Sequence, residues 1–196
     1  MKSLILLTLA FFCLSAPANS NALHLNPSQS ASQFNMDTFE QTSMPIGYYE
    51  FCKNYPERCG AKSDAITVEL TRQIWRKMVD TNTLVNTEIV PMTDEEIFGI
   101  PEKWALPEVV GDCEDYALLK RKMLNEQGFP LGSLLITVGR DAKGGGHAVL
   151  TVVTDKGDYI LDNQEDKILL WRDAEIYFLK RQAQEDPNKW VSLARG

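Results

Sequence analysis

The feature that most constrains the fold is one helical pattern followed by three strand patterns between residues 112 and 163. The helix is predicted to begin near Asp112 and to run to about Gln127, because Gly128 supplies a C′ stop and Pro130 follows it. The DKGD sequence at 155–158 is typical of a tight hairpin turn, so the strands are predicted to form an antiparallel meander. The three runs are SLLITVG (133–139), HAVLTVVT (147–154) and DYILDN (158–163).

The segments around this block complete an α+β prediction. A first amphipathic helix is predicted from Asp64 to Thr81, with Asp64 as its N-cap. Residues 82–110 contain several prolines and are predicted to be irregular, and KILLW (167–171) is a candidate fourth strand. YFLKRQ and the tail to Gly196 are predicted to be helical or irregular. The apolar positions that define the first helix are Ile66, Leu70, Ile74 and Met78.

The N-terminal residues have the composition of a targeting segment. Lys2 precedes an apolar run from Leu4 to Leu14, and small residues suited to cleavage follow, so residues 1–22 are predicted to be a signal peptide. Residues 23–45 are rich in Ser, Asn and Gln and are predicted to form a flexible arm. Residues 46–196 then form one domain, which is expected to be exported and soluble, because no later stretch reaches transmembrane length.

The charge of the chain bears on its partners. The formal net charge is −7, and the Lys and Arg residues are scattered rather than gathered in a stripe. Nucleic acid is therefore not an expected partner.

Two of the cysteines lie close together in FCKNYPERC. In an oxidising compartment, Cys52 and Cys59 are predicted to form a disulfide across the turn at Pro56. Two unpaired buried thiols are the alternative, and a zinc site is disfavoured because no second pair of soft ligands lies nearby. Cys113 is left as a free thiol in either case.

Cys113 has the partners that a nucleophile needs. It lies at the predicted N-terminus of a helix, where the unpaired N–H groups favour a thiolate and offer an oxyanion donor. His147, directly after three glycines, is the candidate general base, and Asp162 on the next strand is the candidate group that orients it. This order of residues indicates a Cys-His-Asp thiol acyl-transfer site.

Each of these residues also has an ordinary structural explanation. Cys113 would serve as a small buried hydrophobe, His147 as a hydrogen-bonded strand residue, and Asp162 as the end of a strand through an Asx-turn. The acids Asp112 and Glu114, beside the cysteine, would serve as helix capping residues.

The acidic residues around Cys113 oppose a thiolate, because carboxylates raise the pKa of a thiol. A bound hard cation would remove the conflict by neutralising them. Oxygen ligands suit calcium, and the candidate ligands are Asp112 and Glu114, with Asp115 as a weaker one and backbone carbonyls from the 82–110 loop.

Several of these motifs occur together in one protein family. GDCEDYALLKRKML, GGGHAVLTVV and DYILDN, with the upstream FCKNYPERC and the W-x-x-P at Trp104–Pro107, closely resemble the bacterial transglutaminase-like cysteine proteinases, the LapG-type periplasmic enzymes. The resemblance covers roughly residues 45–175. It implies a papain-like/transglutaminase-like fold, with N-terminal helices packed on an antiparallel sheet. It also implies a triad of Cys113, His147 and Asp162, and calcium at Asp112 and Glu114.

The resemblance further implies a substrate and a partner. Family members cleave large surface adhesins near the N-terminus at a paired-alanine site, which releases cells from a biofilm, and an inner-membrane receptor for cyclic di-GMP inhibits them. The expected function is therefore a calcium-dependent periplasmic cysteine endopeptidase. Two alternatives stay open: acyl transfer to an amine, as in a transglutaminase or amidase, and a calcium-responsive binding protein without catalysis.

Overall fold

The computed structural model describes residues 34–59 and 64–193, and its main feature is a seven-stranded antiparallel sheet in the order β1-β9-β8-β4-β5-β6-β7. The strands are β1 (Gln41–Thr42), β4 (Leu134–Arg140), β5 (Gly146–Thr154), β6 (Gly157–Leu161), β7 (Leu169–Leu170), β8 (Tyr177–Gln182) and β9 (Trp190–Ser192). A separate pair of short parallel strands is formed by β2 (Val90–Pro91) and β3 (Val110–Gly111).

Five α-helices accompany the sheets in the described residues. They are α1 (Ile46–Asn54), α2 (Pro56–Cys59), α3 (Arg72–Glu88), α4 (Asp94–Phe98) and α5 (Cys113–Glu126). The fold is α+β, as predicted, and no helix in the described part of the chain is long and apolar enough to cross a membrane.

The core explains why the helix-and-meander block folds as predicted. Side chains alternate between the two faces of a strand, so Leu150 and Val152 of β5 pack with Leu118 and Leu124 of α5 in the main core. Val149, which directly precedes Leu150, belongs to a second cluster on the opposite side of the sheet. β5 is therefore buried on both faces, which suits its β-branched composition.

The first predicted helix begins later than its apolar pattern suggested. Residues 64–71 are not helical, because Val68 bridges to Thr154 at the end of β5 and the N–H of Leu70 donates to Asp155. These bonds tie the segment to the sheet before a helix can begin. Thr71 is the actual N-cap, accepting from the N–H of Ile74, and α3 continues beyond residue 81 to Glu88.

The segment 82–110 was predicted to be irregular, and this was wrong in part. It contains the last two turns of α3, the two strands β2 and β3, and the short helix α4. Thr93 and Glu96 form a capping box for α4, and Gly99 ends it with a φ of 70°. Because β2 pairs with β3, the end of α3 lies beside the start of α5.

The prediction for YFLKRQ was also wrong, because this segment is β8, between β9 and β4. The polar residues of this segment removed the apolar alternation by which a strand is recognised in a sequence. Arg181 is buried and its Nη1 lies 2.6 Å from Asp158. Gln182 is buried and its amide accepts from the N–H of Ile136 and donates to the carbonyl of Pro187. Buried polar groups that are satisfied in this way do not produce an apolar alternation.

Part of the predicted flexible arm is packed in the structure. The buried carboxylate of Asp158 accepts from the side chain of Asn35 and from the N–H of Met36, and β1 pairs with β9. Residues 34–45 therefore belong to the folded body. The predicted signal peptide (1–22) and the rest of the predicted arm, residues 23–33, lie outside the described residues.

Cys52 and Cys59 form the predicted disulfide, which joins α1 to α2 across a Cα–Cα distance of 5.6 Å. Cys113 is a free cysteine.

Candidate active site and acidic cluster

Cys113 is the first residue of α5, and it is half-buried. Asp112 precedes it as an extended N-cap without a side-chain capping bond. The thiol donates to Oε2 of Glu114 at 3.1 Å. Burial raises the pKa of the Cys113 thiol above its ordinary value, the charge of Glu114 raises it further, and the N–H of Ala148 acts in the opposite direction.

His147 and Asp162 are joined by a hydrogen bond at the edge of the same region. Nε2 of His147, near the start of β5, lies 2.8 Å from Oδ1 of Asp162, which directly follows β6. The same Oδ1 accepts from the N–H of Gln164 at 2.9 Å. Burial would raise the pKa of Asp162, but the hydrogen bond and charge of His147, the N–H of Gln164 and the charge of Lys120 hold it below its ordinary value.

These contacts define the tautomer of the imidazole. A carboxylate only accepts hydrogen bonds, so Nε2 of His147 carries the proton toward Asp162. Nδ1 is then the free acceptor, and the side-chain amide of Gln164 lies 3.4 Å from it, at the long end of hydrogen bonding. Nδ1 is therefore the ring nitrogen available to take up a further proton.

Cys113 and His147 line one cleft of about 240 Å³ at the meeting point of α5 with β4 and β5. Gly139 and Gly146 contribute backbone to it, so part of its wall carries no side chain. The other residues that line it are Pro45, Glu102, Trp104, Glu114, Val138, Ala148 and Lys180. The structure thus brings together the thiol and the hydrogen-bonded His147–Asp162 pair that the sequence singled out.

An acidic cluster lies beside the cysteine. Asp94, Asp112 and Glu114 each place a carboxylate oxygen within 4.8 Å of the other two. Burial, followed by the charge of Asp94, raises the pKa of Asp112 to about 6, and burial, followed by the charge of Asp112, raises that of Glu114 to about 8. Burial and mutual repulsion thus oppose the ionisation of Asp112 and Glu114 in this cluster.

Asp94 is a residue that the sequence reasoning missed. It begins α4, is 1% exposed, and accepts from the N–H of Lys103 through Oδ2. The only sequence signal is the capping box of Thr93 and Glu96, which marks a helix start but not its proximity to Cys113.

Asp115 was proposed as a weaker ligand, and the structure gives it a different contact. Its Oδ1 accepts from the N–H of Ala105 at 2.7 Å, and it is not a member of the cluster. Burial raises the pKa of Asp115 to about 7, and the hydrogen bond from Ala105 opposes the shift. Asp115 thus joins the start of α5 to the loop that follows α4.

The acidic cluster has the chemistry of a hard-cation site. Oδ1 of Asp94 and Oδ1 of Asp112 are buried without a hydrogen-bond partner, which is costly for a carboxylate. A calcium ion takes six to eight oxygen ligands, and three carboxylates with neighbouring carbonyls and water suit it. Zinc prefers His and Cys ligands, which this cluster does not include. The residues present therefore fit calcium.

The α+β fold and a cleft lined by a free cysteine and a histidine are the features expected of a transglutaminase-like cysteine proteinase. Residues 38–196 match the family described as bacterial transglutaminase-like cysteine proteinase, BTLCP. The chain belongs to this family. Comparison with curated protein sequences gives no significant match.

Solved structures of LapG from Legionella pneumophila are similar to this chain. The calcium-bound form has a TM-score of 0.53 and 26% sequence identity, covering 63% of this chain and 71% of LapG. The EGTA-treated form has a TM-score of 0.51 and 25% identity, covering 60% of this chain and 67% of LapG. LapG has thus been solved with calcium and after EGTA treatment. The structural similarity of this chain to LapG supports a transglutaminase-like fold.

Proposed function

We propose that this protein is a calcium-dependent cysteine endopeptidase in which Cys113 is the nucleophile, His147 the general base and Asp162 the group that orients His147. The observation that carries the proposal is that one cleft is lined both by Cys113, a free thiol at a helix N-terminus, and by His147, which is hydrogen-bonded to Asp162. Membership of a cysteine proteinase family supports the same reaction class.

The mechanism follows from the hydrogen bonds. Nε2 of His147 is hydrogen-bonded to Asp162, so Nδ1 takes the proton of the Cys113 thiol. The long hydrogen bond from the Gln164 amide to Nδ1 is broken in this step. The sulfur attacks the peptide carbonyl, and the N–H groups at the start of α5 stabilise the oxyanion. Nδ1 then returns the proton to the leaving amine. Water hydrolyses the thioester and restores the thiol.

The acidic cluster is proposed to hold one calcium ion through Asp94, Asp112 and Glu114. When bound, calcium supplies positive charge that neutralises these carboxylates. Glu114 accepts a hydrogen bond from the Cys113 thiol, so a Glu114 engaged with a cation no longer favours the protonated sulfur. The available LapG structures, calcium-bound and EGTA-treated, support a role for calcium in proteins of this fold.

The substrate, partner and location are proposed from the resemblance to LapG-type enzymes. We infer that the substrate is the N-terminal region of a large surface adhesin, cut at a paired-alanine site, and that cleavage releases cells from a biofilm. The inhibitory partner would be an inner-membrane receptor that responds to cyclic di-GMP. A signal peptide at residues 1–22 would deliver the protein to the periplasm, where Cys52 and Cys59 form their disulfide.

The test is cleavage of an adhesin N-terminal region from the same genome by purified protein. Wild-type protein is expected to cleave it with calcium, to stop with EGTA, and to recover on adding calcium but not magnesium, which demands a smaller octahedral site. Cys113→Ala is expected to fold normally and to be inactive. Cleavage by Cys113→Ala would contradict the nucleophile, and full activity in EGTA would contradict the calcium requirement.

A further inference from the structure

Lys120 is a buried lysine on the helix that carries the nucleophile. It lies seven residues after Cys113 on α5, and its side chain is fully buried, with 0% exposure. Residues seven apart return to nearly the same face of a helix. α5 therefore presents the thiol at its start and an ammonium group two turns later on the same face.

The ammonium group contacts the backbone of Asp162. Nζ of Lys120 donates to the carbonyl oxygen of Asp162 at 2.9 Å. Nδ2 of Asn86, on α3, donates to the same oxygen at 2.9 Å. Two helices thus hold the Asp162 peptide from one side, while its carboxylate is bonded to His147 and to the N–H of Gln164.

Burial of the Lys120 ammonium group carries a desolvation free energy that side-chain packing alone does not offset. Burial lowers the pKa of Lys120 to about 7, and the charges of Asp162 and Asp166 act in the opposite direction. The ring of Tyr116, 5.8 Å from Nζ, adds a weak cation–π contact. An apolar side chain of similar length would fill this space without a desolvation cost. The hydrogen bond to Asp162 is what only the lysine supplies.

We propose that Lys120 is a positioning residue that sets the Asp162 carboxylate, and through it the imidazole of His147, relative to Cys113. The inference rests on the proposed triad. Because Lys120 and Cys113 belong to one rigid helix, the bond to Asp162 fixes the distance between the nucleophile and the His147–Asp162 pair. The lysine acts on the reaction only through Asp162.

A matched control separates positioning from simple stability. Asn82 is fully buried on α3, and its Nδ2 donates to the carbonyl of Asp166 at 3.1 Å. Asp166 lies in the same loop as Asp162, between β6 and β7. Asn82→Ala therefore loosens the loop without removing a bond to Asp162, whereas Lys120→Met removes that bond and keeps the bulk of the side chain.

Two readouts test the proposal, in kinetics and in NMR. Lys120→Met is expected to lower kcat by about 100-fold, the effect of an ångström-scale misplacement, and to leave KM within about twofold, because substrate contacts are kept. The low-field proton on Nε2 of His147, assigned by its absence from His147→Gln, should disappear in Lys120→Met. Asn82→Ala should keep both kcat and this proton.

The outcomes are distinct. If Lys120→Met keeps the proton signal and kcat while its Tm falls as in Asn82→Ala, the lysine is only structural and the proposal is overturned. If Lys120→Met does not fold, Asn86→Ala removes the other donor to the same carbonyl and should show a smaller loss of the same two signals; unchanged signals in that variant would overturn the proposal. If wild-type protein cleaves no peptide, the proposed function fails, and the NMR signal alone still decides whether Lys120 sets the His147–Asp162 bond.

Discussion

Replacement of Asp162 by asparagine tests how His147 is oriented. Two donors converge on Oδ1 of Asp162: Nε2 of His147 at 2.8 Å and the N–H of Gln164 at 2.9 Å. The backbone N–H can only donate, so it selects the amide oxygen of an asparagine for this position and turns the NH₂ group away. Asp162→Asn should therefore keep the imidazole tautomer and lose only the negative charge.

The expected magnitudes follow from the kind of hydrogen bond that is lost. A hydrogen bond to a charged group contributes about 1.5–3 kcal/mol and a neutral one about 0.5–1.5 kcal/mol. The exchange in Asp162→Asn thus costs about 1.4 kcal/mol, or about tenfold in kcat/KM. Asp162→Ala removes the acceptor altogether and should cost about 3 kcal/mol, or more than about 100-fold.

The assay compares kcat/KM for cleavage of the adhesin segment by wild-type protein, Asp162→Asn and Asp162→Ala in saturating calcium. The Tm of each variant controls for folding, and the rate of Cys113 alkylation by iodoacetamide controls for access to the thiol. If Asp162→Asn were as inactive as Asp162→Ala while both stayed folded, orientation through Oδ1 would not explain the role of Asp162, and its charge would be the essential property.

Three further predictions concern the stability given by the disulfide, the pH dependence of stability, and calcium binding at the acidic cluster. Replacing both Cys52 and Cys59 by serine should lower the free energy of unfolding in urea by about 2–3 kcal/mol, as expected for a short closed loop, and leave kcat unchanged; equal stability would contradict a stabilising role. Burial raises the pKa of Glu114 from 4.5 to about 8 and that of Asp115 from 3.8 to about 7. Protonation of these two groups therefore stabilises the calcium-free fold. The contribution is complete below about pH 4 and is lost progressively as the pH rises through 7 and 8. The free energy of unfolding in EGTA should therefore fall between pH 5 and pH 8.5, and a rise would contradict the shifts. Asp94→Asn should weaken calcium binding in calorimetry at least about tenfold, whereas Asp115→Asn, which keeps an oxygen for the N–H of Ala105, should bind almost normally; equal losses would place Asp115 among the ligands.

The sequence predicted the elements that have a clear apolar period. α5 and the three strands β4, β5 and β6 lie within one or two residues of their predicted bounds, because each has an unbroken apolar face and a clear turn or stop. The start of α3 was misplaced because the apolar period continues through residues 66–70, where hydrogen bonds to β5 and Asp155 override it.

Tertiary contacts between polar residues were not predictable from periodicity. Asp94 reaches the acidic cluster only because β2 pairs with β3 and returns the chain to the start of α5. From the sequence, Lys120 would be interpreted as an ordinary solvent-facing lysine of an amphipathic helix. In the structure it is buried, with its ammonium group donating to the Asp162 carbonyl. Arg181 likewise looks like a surface residue until its ion pair with the buried Asp158 is seen.

The acids around Cys113 differ in their contacts because of the geometry at the start of α5. Successive residues of a helix are rotated by about 100°, so neighbours in sequence reach different partners. Cys113 and Glu114 both line the cleft, and Glu114 also joins the cluster with Asp94 and Asp112. Asp115 instead accepts from the N–H of Ala105. The acids are therefore not placed to activate the thiol. Asp115 joins the loop after α4 to the helix turn that carries the sulfur, and Asp94 of α4 lies in the cluster beside the same turn. A cation bound at the cluster would therefore act on the position of α4 and on the charge beside Cys113 at once.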